Sequence, residues 1–208
     1  CVAFEYVLET FPFDRDEIYG MHLETPSMKK KEDFINRYMK RMTEDTLNID
    51  TPEGKKDFIR NLVATNIVME GIWFYSGFMV MLSFRQRNKL KNFGSMINWV
   101  LRDESLHLKF GMNLILNILE ENSELLTEDF AGEIRDIIIE GVDLEVAYNK
   151  DLFPKGILGL NADYVNQYVQ YVTDRRLEEL GLPIHYNVTN PAKWMTTVWL
   201  KSEIKKLD

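Results

Sequence analysis

The sequence predicts an all-α protein. Across most of the 208 residues, apolar side chains recur at the 3.6-residue spacing of amphipathic helices. Helix breakers are few, with 6 Pro and 11 Gly that fall mainly between the apolar segments. Strand-like alternation of apolar and polar residues is absent from the sequence. With 45% hydrophobic residues, the chain can bury the core of one domain over residues 1–208.

The predicted helices follow one another with short polar connections. One helix starts at Thr51, because Thr is a favourable N-cap and Pro52 fits the first turn, and it runs to about Ser83. The polar segment RQRNKLKNFG then separates it from the next helix. The residues after 180 are predicted to be irregular. The predicted helices cover 1–11, 14–21, 31–48, 51–83, 95–121, 127–151 and 162–180.

The charge and the cysteine content exclude several classes of protein. The chain has 25 basic and 33 acidic residues and a net charge of −8, which argues against a surface for nucleic acid or anionic membranes. The short basic run Lys29–Lys31 is expected to be a solvated face. A single cysteine excludes an intramolecular disulfide and fits a reducing cytosol. No signal peptide is recognisable at the start of the sequence.

The most apolar stretch, Ile67–Phe84, contains a charged residue. The stretch is about as long as a membrane span, but Glu70 interrupts it, so a buried core helix is predicted. An ionised carboxylate that faces a core is costly unless it is paired or binds a metal. On the same helical face, one and two turns further on, Phe74 and Phe78 would form an aromatic wall beside this carboxylate.

A second helix, with the sequence WVLRDESLHLKFGM, carries Glu104 and His107. Their i, i+3 spacing places both on one face, with Val100 one turn earlier. An antiparallel return through the polar turn would bring this pair to the depth of Glu70. Glutamates on two helices plus Glu-x-x-His pairs on two helices are the ligand pattern of ferritin-like dinuclear-metal bundles. Carboxylate and imidazole donors favour iron or manganese.

Each of these features also has a structural interpretation. A lone Glu-x-x-His pair is common by chance on surface helices, and the phenylalanines could simply pack in a core. Glu70 could instead be neutralised by Arg60, Arg102 or a lysine. The combination of the three ligand residues therefore carries the metal-site prediction.

Longer segments resemble a known family. MEGIWFYSGF and LRDESLHLKFGM resemble the second metal-ligand helix pair of the small, radical-generating subunit of class I ribonucleotide reductase. The resemblance continues through DLEVAYNKDLFPKGILGL, YVTDRRLEELGL and NPAKWM, segments not expected in ferritins or in other di-metal oxidases. It implies a partial ferritin-like helical bundle, a homodimer, a large-subunit partner, a cytoplasmic location and a role in the reduction of ribonucleotides to deoxyribonucleotides.

The resemblance also implies roles for individual residues. Glu70, Glu104 and His107 match metal ligands from the second half of the site. Asp103 matches an aspartate that bonds a ligand histidine and belongs to the radical-transfer route of the family. The remaining matches fall where the family has an apolar pocket around the oxygen-activating centre: Phe74, Phe78 and Val100.

The first residues of the sequence indicate whether a tyrosine or the metal pair would store the oxidising equivalent in a subunit of this family. Alignment of FEYVLETF with the family puts Phe4 at the usual tyrosyl-radical position and Cys1 directly after the first ligand histidine; a shifted register would put Tyr6 there instead. Phenylalanine has no phenolic O–H to lose, so the oxidising equivalent would have to remain on the metals. This resembles the class Ic, chlamydial-type subunits, in which a manganese/iron pair stores it. An Fe/Fe centre is the alternative. Trp99 lies where those subunits have a tyrosine implicated in electron delivery; simple packing is the alternative.

The family pattern is incomplete within these 208 residues. A further carboxylate and the first Glu-x-x-His pair are missing, as is the tyrosine-bearing tail that docks on the large subunit. The chain is therefore expected to lack the N-terminal helices and the C-terminal tail, to supply half of a site, and to be inactive without the missing segments. A separate N-terminal fragment, from a split gene or an intein, and trimming of a longer chain are both compatible with the sequence.

Two other functions remain open at the level of sequence. One is a ligand-binding di-metal oxidase of ferritin-like fold, which the segments DRRLEELGL and NPAKWM disfavour. The other is a helical module without catalytic chemistry.

Overall fold

The computed structural model describes residues 5, 8–10, 12, 14–43 and 48–196. Within this part of the chain the long elements are all helices, and the only bridge is an isolated one between Ile157 and Leu160. The predictions for Cys1, Phe4 and Tyr6 lie outside the described residues. The helices are α1 (Arg15–Glu24), α2 (Pro26–Thr43), α3 (Pro52–Gln86), α4 (Lys91–Glu121), α5 (Glu128–Leu152) and α6 (Ala162–Glu179), with a short 3₁₀ turn at Ser123–Leu125.

Side-chain caps define where several helices begin. The hydroxyl of Thr51 accepts a hydrogen bond from the Gly54 amide, and Pro52 lies in the first turn of α3, as predicted. Thr127 caps α5 and Asn161 caps α6 in the same way. A polar residue with a short side chain therefore ends each of these three connections, because its oxygen satisfies an amide that the first turn leaves without a partner.

The predicted boundaries of two helices were wrong by about four residues or more. Helix α2 begins at Pro26 rather than at 31, and Asn48 is not helical: its carbonyl accepts from the Thr51 amide in a turn before α3. Helix α4 begins at Lys91 rather than at 95, directly after Leu90, which has a left-handed φ of 47°. In both cases apolar periodicity did not mark the boundary, because the first turns of these helices are mostly polar.

The central helix α3 is not a uniform α-helix. Its first part, Pro52–Leu62, and its last part, Phe74–Gln86, are α-helical, but Val63–Trp73 is a π-helix. The amide of Phe74 donates to the carbonyl of Met69, five residues earlier. The wider turn changes the angle between successive side chains, and such segments are often found at functional sites. The sequence did not predict this segment.

The π segment lies in the centre of the molecule. It contacts α2, α4, α5 and α6, and Ile67, Val68 and Ile72 are fully buried. Helix α3 is long and apolar enough to cross a membrane, but 61% of its most apolar stretch is buried inside the fold. This agrees with the predicted core helix.

The segment after α6 is irregular, as predicted, and it is held by one buried carboxylate. Asp174 of α6 accepts hydrogen bonds from the amides of His185, Tyr186 and Asn187, at 2.9, 2.9 and 2.6 Å. These bonds attach the segment to the bundle without a helix, because the carboxylate satisfies three consecutive backbone donors.

Candidate metal centre

The structure brings Glu70, Glu104 and His107 together. Glu70 comes from the π segment of α3, whereas Glu104 and His107 come from α4, and one ligand atom from each lies within 4.8 Å of the others. Helices α3 and α4 pack side by side after the turn at 87–90. This is the antiparallel return that the sequence predicted.

The pair on α4 is preorganised by its helical spacing. His107 Nδ1 and Glu104 Oε2 are 3.1 Å apart. The Glu104 side chain is only 16% exposed, whereas that of His107 is 59% exposed. The three groups therefore form a cluster that is closed on the side of α3 and open on the side of the imidazole.

Asn66 is a site residue that the sequence analysis missed. Its Nδ2 donates to Glu70 Oε2 at 2.8 Å. Gly111 of α4 makes room for this side chain, since a Cβ at position 111 would lie 2.4 Å from the Cβ of Asn66. The position of Asn66 four residues before Glu70 was a visible signal, but its approach to Gly111 depends on how the two helices pack.

The environment of Glu70 favours its neutral form. Burial raises the pKa of this carboxyl, and the nearby charge of Glu104 raises it further. The hydrogen bond from Asn66 and the proximity of His107 act in the opposite direction. A bound cation would relieve the cost of ionising Glu70.

The arginines considered as partners of Glu70 bind other groups. Arg60 forms ion pairs with Glu53, Asp57 and Glu133. Arg102 lies 3.8 Å from Asp103. The interpretation of Glu70 as the partner of either arginine is therefore wrong.

An apolar wall lies beside the acidic cluster. Phe74, Phe78, Val100 and Glu104 all line one cavity of about 670 Å³. Phe78 is 3% exposed, and its ring packs edge-on against Phe74, with centroids 6.4 Å apart. The predicted pocket residues therefore share one cavity with a predicted ligand.

Asp103 and Trp99 lie on the outer surface of α4. The Asp103 side chain is 61% exposed, and Trp99 is 73% exposed. Trp99 is not packed in the core, so the packing alternative for this residue is wrong for the described part of the chain. The structure does not bring either residue into the cluster of Glu70, Glu104 and His107.

The donor set suits iron or manganese. Two carboxylates and one imidazole are hard and borderline ligands, which these metals accept. The set is also half of the dinuclear pattern in which two helices each contribute a Glu and two others each contribute a Glu-x-x-His pair. The residues present therefore fit one half of such a centre.

Comparison with known proteins gives a consistent result. The family model for the small chain of ribonucleotide reductase matches residues 2–191. The chain is 40% identical over 194 residues to the ribonucleoside-diphosphate reductase subunit beta of Chlamydia pneumoniae, covering 93% of this chain and 56% of that protein. Its identity to the ribonucleoside-diphosphate reductase 1 subunit beta of Escherichia coli O157:H7 is 30% over 165 residues, covering 76% of this chain and 43% of that protein.

A solved structure has the same fold. A ribonucleotide reductase subunit from Clostridium botulinum superposes with a TM-score of 0.82 at 28% identity, covering 94% of this chain and 60% of that chain. The chain thus spans about half the length of the curated relatives that it matches. Because the family model covers most of the sequence, the chain belongs to the ribonucleotide reductase small-chain family.

Proposed function

We propose that this chain forms the part of a ribonucleoside-diphosphate reductase small subunit that supplies half of a dinuclear metal centre. The observation that carries the proposal is the convergence of Glu70, Glu104 and His107 within 4.8 Å. Membership of the family implies such a centre and a larger partner subunit. When bound, the metal pair supplies the one-electron oxidant that the large subunit uses to reduce ribonucleotides to deoxyribonucleotides.

Different residues of this chain have different roles in the proposed centre. Glu70 and Glu104 bind metal through oxygen and His107 through nitrogen, while Asn66 orients Glu70. Apolar side chains exclude water and stray reductants on one side of the centre: Phe74, Phe78 and Val100. We assign Asp103 and Trp99 to the route of radical transfer, since both are exposed and available to groups outside the described residues.

The proposed metals are manganese and iron, with two irons as the alternative. The proposal is supported by the resemblance, which implies that Phe4 stands where a tyrosine would otherwise hold the radical, and by the similarity to a chlamydial protein. Anomalous diffraction across the iron and manganese edges of the complete subunit tests the assignment. A tyrosyl-radical signal in a subunit loaded with iron alone would contradict it.

The remaining ligands are proposed to come from residues outside 1–208. This is supported by the three-ligand donor set and by the greater length of the relatives. These residues belong either to the same polypeptide or to a separate N-terminal fragment, within a cytoplasmic homodimer that docks on a large subunit. The intact mass of the native protein distinguishes the two sources, since one long chain spanning both halves would exclude a separate fragment.

Metal binding by matched variants tests the core of the proposal. Co-expression with the N-terminal half of a relative should give about two metal ions per subunit, as expected for this ligand pattern. Glu104→Ala and His107→Ala should reduce the bound metal strongly, whereas Glu120→Ala, which changes an exposed residue of the same helix, should not. Failure of the reconstituted subunit to bind iron or manganese would leave a helical module without this chemistry.

A further inference from the structure

Arg176 of α6 reaches the backbone of the π segment. Its Nε donates to the carbonyl oxygen of Gly71 at 3.2 Å, and the arginine is only 4% exposed. Gly71 directly follows Glu70 in the chain. A buried guanidinium from a third helix therefore contacts the peptide next to one of the three clustered side chains.

The contact lies close to the end of the π segment. Gly71 lies two residues before the segment ends at Trp73. The absence of a side chain at Gly71 allows the close packing, since a Cβ there would lie 2.7 Å from Leu108 Cδ1 and 3.4 Å from Arg176 Nε.

The same guanidinium is linked to the second ligand helix. It lies over the ring of Tyr75, 4.9 Å from the centroid. The hydroxyl of Tyr75 is 2.8 Å from Ser105 Oγ, and Ser105 Oγ donates to the Leu101 carbonyl at 2.7 Å. Because the Ser105 proton is used in that bond, the Tyr75 hydroxyl is the donor to Ser105.

These contacts link the two residues that follow the clustered carboxylates in the sequence, Gly71 after Glu70 and Ser105 after Glu104. We propose that Arg176 is a positioning residue, which sets the separation of Glu70 and Glu104 by holding the Gly71 carbonyl directly and Ser105 through Tyr75. The proposal rests on the proposed function, in which these two carboxylates bind metal. Outer groups that orient ligands commonly change metal affinity by about 10- to 100-fold when removed.

The neighbouring arginine provides a matched control. Arg175 lies on the same helix and pairs with Glu178 at 2.7 Å, as Arg176 pairs with Glu179 at 3.0 Å, both with i, i+3 spacing. The Arg175 side chain is 49% exposed. Arg175→Met therefore removes a similar ion pair and the same charge without disturbing α3.

Two measurements on the 208-residue chain test the proposal. Hydrogen exchange followed by mass spectrometry should show faster exchange of the amides in 66–76 in Arg176→Met than in Arg175→Met, by about tenfold or more. The Kd for Mn²⁺ should rise by about tenfold or more in Arg176→Met and stay unchanged in Arg175→Met. Arg176→Lys should restore part of both losses, because an ammonium can still donate to the Gly71 carbonyl.

Tyr75→Phe keeps the ring and removes the hydroxyl that bonds Ser105, so it tests the second contact should Arg176→Met fail to fold. It should weaken Mn²⁺ binding by several-fold, and unchanged Mn²⁺ binding in Tyr75→Phe would overturn the linkage. Equal exchange, or equal Mn²⁺ affinity, in Arg176→Met and Arg175→Met would overturn the proposal. Equal Mn²⁺ affinity in the unaltered chain and in Glu104→Ala would contradict the proposed function instead. The hydrogen-exchange comparison would then still decide whether Arg176 holds the π segment in place.

Discussion

Asn66 donates a hydrogen bond from Nδ2 to Oε2 of Glu70 across 2.8 Å, within the π segment of α3. One carboxylate oxygen of Glu70 thereby accepts this bond, and the side chain is held near Glu104 and His107. The hydrogen bond also opposes the effect of burial on the pKa of Glu70. Asn66 therefore orients a proposed ligand and favours its ionised form against the effect of burial.

Asn66→Ala is expected to weaken Mn²⁺ binding by roughly tenfold. A hydrogen bond to a charged group contributes about 1.5 kcal/mol or more, and about 1.4 kcal/mol corresponds to a factor of ten in Kd. Isothermal titration of the chain with Mn²⁺ measures the effect. Asn113→Ala, at an exposed position of α4, is the control, and equal affinities in the two variants would contradict the role of Asn66.

Glu70→Gln is expected to stabilise the metal-free chain at neutral pH but not in acid. The pKa of Glu70 in the folded chain is raised above its usual value of 4.5, chiefly by burial. The folded state therefore binds this proton more tightly than the unfolded state, and stability falls as pH rises through the folded pKa. Gln imitates the protonated form and removes this dependence.

Urea unfolding at several pH values measures this difference. The gain in unfolding free energy should grow from near zero below pH 4.5 to its full size above the folded pKa. Glu120→Gln, at an exposed position on α4, is the control. A gain from Glu70→Gln that is the same at all pH values would argue against burial of the carboxyl as its cause.

Gly111→Ala is expected to destabilise the chain by about 1–3 kcal/mol, the usual cost of an overpacked core. Its new Cβ would lie 2.4 Å from the Cβ and 2.5 Å from the Cγ of Asn66, so the asparagine must move and α4 must shift from α3. The same change should weaken Mn²⁺ binding. Gly132→Ala is the matched control, because nothing lies within 4 Å of a Cβ there and Ala favours a helix by about 1 kcal/mol over Gly.

Lys31→Met is expected to cost about 3–5 kcal/mol of stability, the usual result of leaving one member of a buried ion pair alone. The Lys31 ammonium pairs with Glu145, whose side chain is 2% exposed, and also lies over the rings of Trp73 and Tyr148. Thermal unfolding at neutral pH measures the loss. Lys29→Met, which removes an exposed lysine paired with Glu32 and Asp33, should change the midpoint little, and the double variant Lys31→Met/Glu145→Leu should regain most of the stability.

The helices were predictable where local chemistry determines them. Thr51 and Pro52 mark a helix start through capping and a fixed φ, and the structure has the start there. The polar first turns after Thr25 and Leu90 carry no such apolar signal, so the starts at Pro26 and Lys91 were missed. The π segment was missed as well, because its residues are apolar on nearly every side and the sequence has no feature that separates it from an α-helix.

By itself the sequence determined the helical class, the cost of a carboxylate at Glu70 within an apolar helix, and the single face shared by Glu104 and His107. Each of these follows from spacing along one helix, which is a local property. Only the tertiary structure decided that Asn66 and Gly111 meet, that Arg60 turns away toward Glu133, and that Arg176 reaches Gly71 from a helix a hundred residues later. Contacts of this kind depend on the distance and rotation between packed helices, which are set by many buried side chains together.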